Sequence, residues 1–278
     1  MDQGNAPLSI VATIARILIF FIGLYLLYVI YNWLFNSSTT TSYKLIDGVM
    51  IANNVGTPPT IAKKDAPFLV PGGSFSVSGW VYVSDFHGAN NNQRKNILSI
   101  LNPDGSVALV AYLGMFTNTL HVRAFRPDEE CAAGESNVMD SNYYNTLFGG
   151  GINSSITDDP NSVCDIANFN LQKWVLVTIV HDAKTLDIYL DGKLARSCIL
   201  PESPKVNPTG YTIKVADKNG FNGFISNMQA FDYNLNPEQV WRIYMNGPGG
   251  ALSLWDYIAG LFNPSSVGTL TYPKYPSA

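Results

Sequence analysis

Residues 173–199 read KWVLVTIVHDAKTLDIYLDGKLARSCI, and they leave the chain few choices. KWVLVTIVHD is a short, nearly continuous apolar run rich in valine, which reads as a strand covered on both faces. TLDIYL then alternates, with Leu186, Ile188 and Leu190 on one side and Asp187 and Tyr189 on the other. Asp191-Gly192 fits the two positive-φ positions of a type I′ turn, and KLARSCIL returns. A three-stranded antiparallel meander follows. Its first strand needs a layer on each side, so a packed sandwich is expected rather than a lone sheet.

The rest of the body repeats this period. SFSVSGWVYV places Phe75, Val77, Gly79, Val81 and Val83 on one face, and Ser76, Ser78, Trp80 and Tyr82 on the other. SVALVAYLG and TLHVRAF form a strand pair joined through Thr117-Asn118, and YTIKV and GFISNMQAF complete the series. Short strands divided by Gly, Pro, Asn and Asp, with no alternation of strand and helix, predict an all-β antiparallel sandwich. One helix is well signalled in LNPEQVWRIYMNG. Asn236 is the N-cap, Pro237 the first helical residue and Gln239 the partner in a capping box. Leu235 and Val240 have the spacing of a hydrophobic staple, and Gly247 ends the helix.

Ahead of this body, Ile17 to Phe35 carries no charge. At 1.5 Å per residue it reaches about 28 Å, close to the thickness of a bilayer's hydrocarbon core. The apolar stretch extends back to Leu8, so a transmembrane helix is expected over 8–35. Arg16 can snorkel at one end, Ile17, Phe20 and Phe21 sit in the apolar run, and Tyr25, Tyr28, Tyr31 and Trp33, with Phe35, gather at the other end as an aromatic belt. The run is long for a signal peptide and is followed by NSSTTTS rather than a small-residue cleavage site, which favours an uncleaved anchor. Orientation stays open, because Arg16 and Lys44 flank both ends. The expected organisation is a tail and anchor (1–35), a Ser/Thr linker (36–42), a sandwich (43–246) with an insertion (126–168), and an apolar short helix with an extended tail (247–278).

The order of WVLVTIVHD, LDIYLDGK and GFISNMQAFDYNLNPEQV resembles laminin-G-like domains of the concanavalin A-like lectin/glucanase superfamily, over roughly residues 43 to 246. The resemblance implies a jelly-roll sandwich. It says little of function, since that fold hosts lectins, adhesion modules, enzymes and structural domains. The combination of an N-terminal membrane helix with such a body, and the run CDI…LQKWV…LDIYLDGKLARSC, resembles membrane-associated virion proteins of large icosahedral DNA viruses. That likeness implies a minor capsid or virion membrane component, with the lipid bilayer and other capsid proteins as partners. A membrane-tethered lectin with glycan partners is the alternative.

Signals for chemistry are sparse. Glucanases on this scaffold use carboxylates alternating along one strand, and no such run is present. Asp128-Glu129-Glu130 are adjacent and cannot share a strand face, while Asp187 and Asp191 make only one pair. No catalytic residues are therefore expected, and the reading is non-enzymatic. His87, His121 and His181 are far apart without metal spacing, and His121, between Leu120 and Val122, is expected on the outer face of a strand, as a surface or core-edge residue. Lys and Arg number 17 against 21 Asp and Glu, for a net charge of −4, with no basic block, which argues against nucleic acid. No cofactor is expected. The resemblance leaves room for calcium at the rim, with oxygen donors in 86–92, 140–145 and 157–161, segments that turn chemistry alone also explains.

Three cysteines, Cys131, Cys164 and Cys198, permit three pairings or none. Cys164–Cys198 is favoured because both flank expected core strands, and reduced thiols remain open for a cytoplasmic body. Asn36 and Asn153 lie in glycosylation sequons that matter only in a secretory lumen. In the insertion, Tyr143, Tyr144 and Phe148 can either grip a partner or pin the segment down. In the tail, Leu254, Trp255, Ile258, Leu261 and Phe262 form an apolar stripe that suits packing on the body and docking on a partner or membrane equally.

Overall fold

A computed structural model describes residues 6–35, 41–53, 59–86, 93–124, 139–149, 164–218 and 220–249. The chain divides into two compact units, Met1–Thr40 and Thr41–Ala278.

The first unit holds α1 (Ala6–Phe35), one continuous helix of 30 residues. Within it, Ala12–Tyr31 has a mean hydropathy of 2.3 and none of it is buried. Leucine, isoleucine and phenylalanine point outwards on all sides, including Ile17, Phe20, Phe21, Tyr25, Tyr28 and Tyr31. A helix apolar all round has no solvated face, so this one is long and apolar enough to cross a membrane, as an anchor or as a signal sequence.

The second unit is an antiparallel sandwich of two six-stranded sheets. Its strands are β1 (Ser42–Ile51), β2 (Thr60–Ala62), β3 (Phe75–Asp85), β4 (Lys95–Leu101), β5 (Val107–Leu113), β6 (Leu120–Arg123), β7 (Asp165–Ile166), β8 (Trp174–Asp182), β9 (Thr185–Leu190), β10 (Lys193–Ile199), β11 (Thr212–Val215) and β12 (Asn222–Phe231). The helices are α2 (Ser141–Phe148) and α3 (Pro237–Asn246). The first sheet runs β1-β12-β3-β8-β9-β10 and the second β2-β11-β4-β5-β6-β7.

Period-2 alternation explains the core between the sheets. Phe75, Val77, Val81 and Val83 of β3 and Val175, Val177 and Ile179 of β8 face inwards to meet Leu109, Ala111 and Leu113 of β5 and Leu120 and Val122 of β6. Gly79 belongs to the same inward row, and the side chain of Met228 fills the space its Cβ would take, with Cε 2.9 Å from that position. The meander of β8, β9 and β10 is in register as its pattern implies, with Leu190 opposite Lys193 across the turn. Asp191 and Gly192 have φ of 50° and 78°, both in the left-handed region a type I′ turn requires.

The structure adds elements the alternation does not announce: β1, β2, β4, β7 and α2. The last two lie inside the 126–168 insertion, which is therefore not featureless. The segment DSNYYN, an expected source of loop oxygens for calcium, is instead an N-cap and the first turns of a helix. Asp140 caps it, its carboxylate accepting from the Tyr143 N–H at 2.7 Å.

Candidate functional site

The outward face of the second sheet carries a cluster of buried polar and charged side chains. Because Leu120 and Val122 point inwards, His121 and Arg123 on β6 must point outwards. Tyr112 on β5 and Asn96 and Ser99 on β4 share that side. Helix α2 lies over this face. Its Tyr143, Tyr144, Leu147 and Phe148 recur at one helical face and join Leu101, Val107, Val110, Tyr112 and Met139 in a separate apolar cluster. The Phe148 ring meets Tyr112 edge-on at 5.8 Å and Tyr144 at 5.2 Å.

Polar bonds fasten the same seam. The Tyr144 hydroxyl donates to Asp217 Oδ2 at 2.8 Å, and Arg94 donates to the Leu147 carbonyl at 3.0 Å. Burial, reinforced by the Asp217 charge, pushes the Tyr144 phenol well above its ordinary range. Burial alone would raise the Asp217 carboxyl, but bonds from Tyr144 and Lys214 outweigh it and hold it below its ordinary value.

At the end of β6, Arg123 grips the two oxygens of Asp165 on β7, and His121 Nδ1 stands 2.9 Å from Asp165 Oδ2. All three side chains are buried. Burial alone would raise the Asp165 carboxyl, yet bonds from His121 and Arg123 and the guanidinium charge hold it low. A proton on Nδ1 directed at Asp165 leaves Nε2 as the free ring nitrogen, and among the described residues it has no hydrogen-bond partner. Neither do Asn96 Oδ1 and Arg123 Nε. The Tyr112 ring stacks on the imidazole at 4.9 Å. His121 thus lies on the outer strand face, as its flanking residues imply, but it is wholly buried rather than at a surface or core edge. The Tyr112 ring covers it and α2 in turn covers Tyr112, a layer that the residues flanking His121 do not announce. The signal was available in Tyr143, Tyr144, Leu147 and Phe148, spaced as one helical face behind a capping aspartate.

This cluster holds charge but does not assemble two free carboxylates. Asp165 is occupied by Arg123 and His121. On the first sheet Asp187 accepts from Ser197. Asp191 accepts the Leu176 N–H at 3.0 Å while its own N–H returns to the Leu176 carbonyl at 3.0 Å. Asp191 therefore closes the hairpin onto β8, and its Gly192 lies so close to α3 that a Cβ would come 2.8 Å from the Trp241 ring. Among the described residues no group of three His, Cys, Asp or Glu side chains is placed to hold a metal ion.

Cys164, just before β7, and Cys198, on β10, are disulfide-bonded with Cα atoms 5.7 Å apart. Both lie against the inter-sheet core, and the bond joins the neighbouring edges of the two sheets. Tyr143, Tyr144 and Phe148 are packed within the chain beneath α2. Arg16 is exposed on α1, and Trp33 and Phe35 lie in its last turn. Cys131, His87, Asn36, Asn153, Leu254, Trp255, Ile258, Leu261 and Phe262 lie outside the described residues, as do 87–92 and 157–161.

Residues 116–241 match the laminin G family model described as the concanavalin A-like lectin/glucanases superfamily. Similar solved structures include the botulinum neurotoxin serotype G binding domain, at TM-score 0.42 and 18% identity, covering 75% of this chain and 47% of that one. The botulinum neurotoxin serotype D binding domain has a TM-score of 0.41 and 14% identity, covering 77% and 48%. The Trypanosoma rangeli sialidase has a TM-score of 0.39 and 12% identity, covering 63% and 23%. The chain spans about half the length of the toxin domains it matches. No curated protein matches it. Two antiparallel six-stranded sheets around one core, together with the family match, make the body a concanavalin A-like sandwich.

Proposed function

We propose that this protein is a non-enzymatic interaction module held at a membrane by α1, which acts as an uncleaved single-pass anchor. The observation that carries this reading is the helix itself: no described side chain between Ala12 and Tyr31 is buried, and an apolar surface of that length needs lipid around it. The sandwich makes protein contacts. In keeping with the resemblance to virion membrane proteins, its setting is a minor structural component linking an internal membrane to a protein shell. The carboxylates of Asp140, Asp165, Asp187, Asp191 and Asp217 each have a structural partner, which supports binding over turnover.

Expression of the full chain followed by alkaline extraction of membranes tests the anchor. The intact chain, with its first forty residues, should stay with the lipid. Recovery of a soluble product that begins after Phe35 would make the helix a signal sequence and overturn the reading. A second reading, a membrane-tethered lectin, is favoured by the match of residues 116–241 to a superfamily of lectins and glucanases. Glycan-array binding by the detergent-solubilised chain, with and without a calcium chelator, decides between them.

A further inference from the structure

A covalent link between the two sheets stands next to the buried ion cluster. Cys164, bonded to Cys198 on β10, directly precedes Asp165, so the Cα atoms of Cys164 and Asp165 are about 3.8 Å apart. Asp165 is the carboxylate that answers both Arg123 and His121. The strand that carries it is slight. Strand β7 has two residues and two ladder pairs, Asp165 with His121 and Ile166 with Leu120. Its place therefore depends on what holds the chain to either side. After it, the Phe169 N–H and carbonyl both bond Asn118, at 2.7 and 2.9 Å. Before it stands the disulfide.

The bond is buried, yet one edge strand guards it. Cys164 and Cys198 are each 1% exposed, but β10 is the outermost strand of the first sheet. Ser197 and Ile199, on either side of Cys198, are exposed, Ile199 at 77%. Local opening begins where few contacts hold the backbone, and fraying of β10 from β9 alone brings the Cys198 Sγ to solvent.

We propose that the Cys164–Cys198 bond is a redox latch on the ion cluster: oxidised, it keeps Asp165 on Arg123 and His121, and reduced, it lets β7 leave them. The reductant is a dithiol. One thiolate attacks the Cys198 Sγ, the S–S bond breaks, and Cys164 departs as a thiolate that takes a proton. The second thiol closes on the first and frees Cys198 as a thiol, so two electrons and two protons pass from the dithiol to the protein. Asp165 then loses the effective concentration that the tether gave it. The loosening passes outward through Tyr112, stacked on His121, to Phe148 of α2. Disulfides persist in oxidising compartments and open in reducing ones, so the latch responds to which of the two surrounds the sandwich.

Hydrogen exchange of the full chain in lipid nanodiscs, before and after dithiothreitol, tests it, with Cys131→Ser so that no third thiol takes part. Reduction should speed exchange at 120–123 and 165–166 about tenfold, at α2 less, and at α3 not at all. Asp165→Asn opens the cluster beforehand, so in that variant reduction should add less than about twofold at 120–123. His121→Gln carries the same comparison if Asp165→Asn does not fold. Equal acceleration in α3 would make the bond a general staple, and no acceleration at 120–123 would mean that β7 holds without it. The full tenfold in the variant would mean that bond and cluster act independently. Each of these three results overturns the proposal.

Discussion

Helices α2 and α3 each lie on the outward face of one sheet, yet the two seams are built differently. Beneath α3 the buried groups are aliphatic, aromatic or hydroxylic. Ser76 Oγ donates to the Tyr233 carbonyl and receives the Leu235 N–H, each at 2.9 Å, and the Ser78 and Thr178 hydroxyls are hydrogen-bonded to each other at 2.7 Å. Beneath and beside α2 the buried groups include Arg94, Arg123, His121, Asp165 and Asp217. Hydroxyls satisfied by one or two bonds tolerate small shifts. Buried ions do not, because each unpaired charge carries a large desolvation penalty. The first seam is held by area and the second by matching, so perturbations should divide the two helices sharply.

The largest effect is expected at the ion cluster. Asp165→Ala leaves Arg123 buried without its carboxylate, and losing one partner of such a pair costs about 3–5 kcal/mol. Denaturant unfolding of the detergent-solubilised chain measures it. A cost near that of an exposed pair, under about 1 kcal/mol, would mean that the cluster is solvated and that the contrast between the seams is false.

Acid should separate the helices next. Asp165 and Asp217 both have carboxyls held below their ordinary value of 3.8. Their contribution is complete above that value and is lost as pH falls through the lower folded values, because protonation breaks the bonds to Arg123, His121 and Tyr144. The α3 seam holds no buried carboxylate among the described residues. Hydrogen exchange, corrected for intrinsic rates, should show α2 losing protection below about pH 4 while α3 retains it. Loss of both together would argue for one cooperative unit. His181, stacked on Phe75 at 4.9 Å, adds a global effect of the same sign at higher pH. Burial holds its imidazole below the ordinary 6.5, so its contribution is complete above 6.5 and declines as pH falls from there.

The contrast also explains what could be read from sequence. Helix α3 announces itself because capping box, proline and staple are local and mutually consistent. The meander does so because β8 and β9 pair without a break and Asp191-Gly192 marks the turn into β10, whose one register shift comes only after Leu194. Strand β1 hides behind two register shifts, between Lys44 and Ile46 and between Ile46 and Val49, and β4 behind another between Asn96 and Leu98. A bulge moves later residues to the other face and destroys the period. Helix α2 is short and built from Ser, Asn, Tyr and Thr, which are weak helix formers, so tertiary packing rather than propensity sustains it. The Asp165–Arg123–His121 cluster joins residues some forty positions apart through the two-residue strand β7, and no local pattern specifies that pairing. The hairpin at Asp191-Gly192 was legible as a turn, but not its packing against Trp241.

The smallest effect tests the side that local sequence describes best. Asn236 accepts the Gln239 N–H at 2.8 Å, and Gln239 accepts the Asn236 N–H at 2.9 Å. Asn236→Ala removes the first bond of this reciprocal pair, at a cost of about 1 kcal/mol. The loss should fall on α3 alone, because Leu235 and Val240 still anchor the helix start in their cluster with Val180 and Phe231. Exchange at the first turn of α3 should quicken about fivefold, the factor that 1 kcal/mol implies, with α2 unchanged. If α2 quickens equally, the two outward covers are coupled through the sandwich, and the division between a seam of area and a seam of matched charge describes chemistry without describing mechanics.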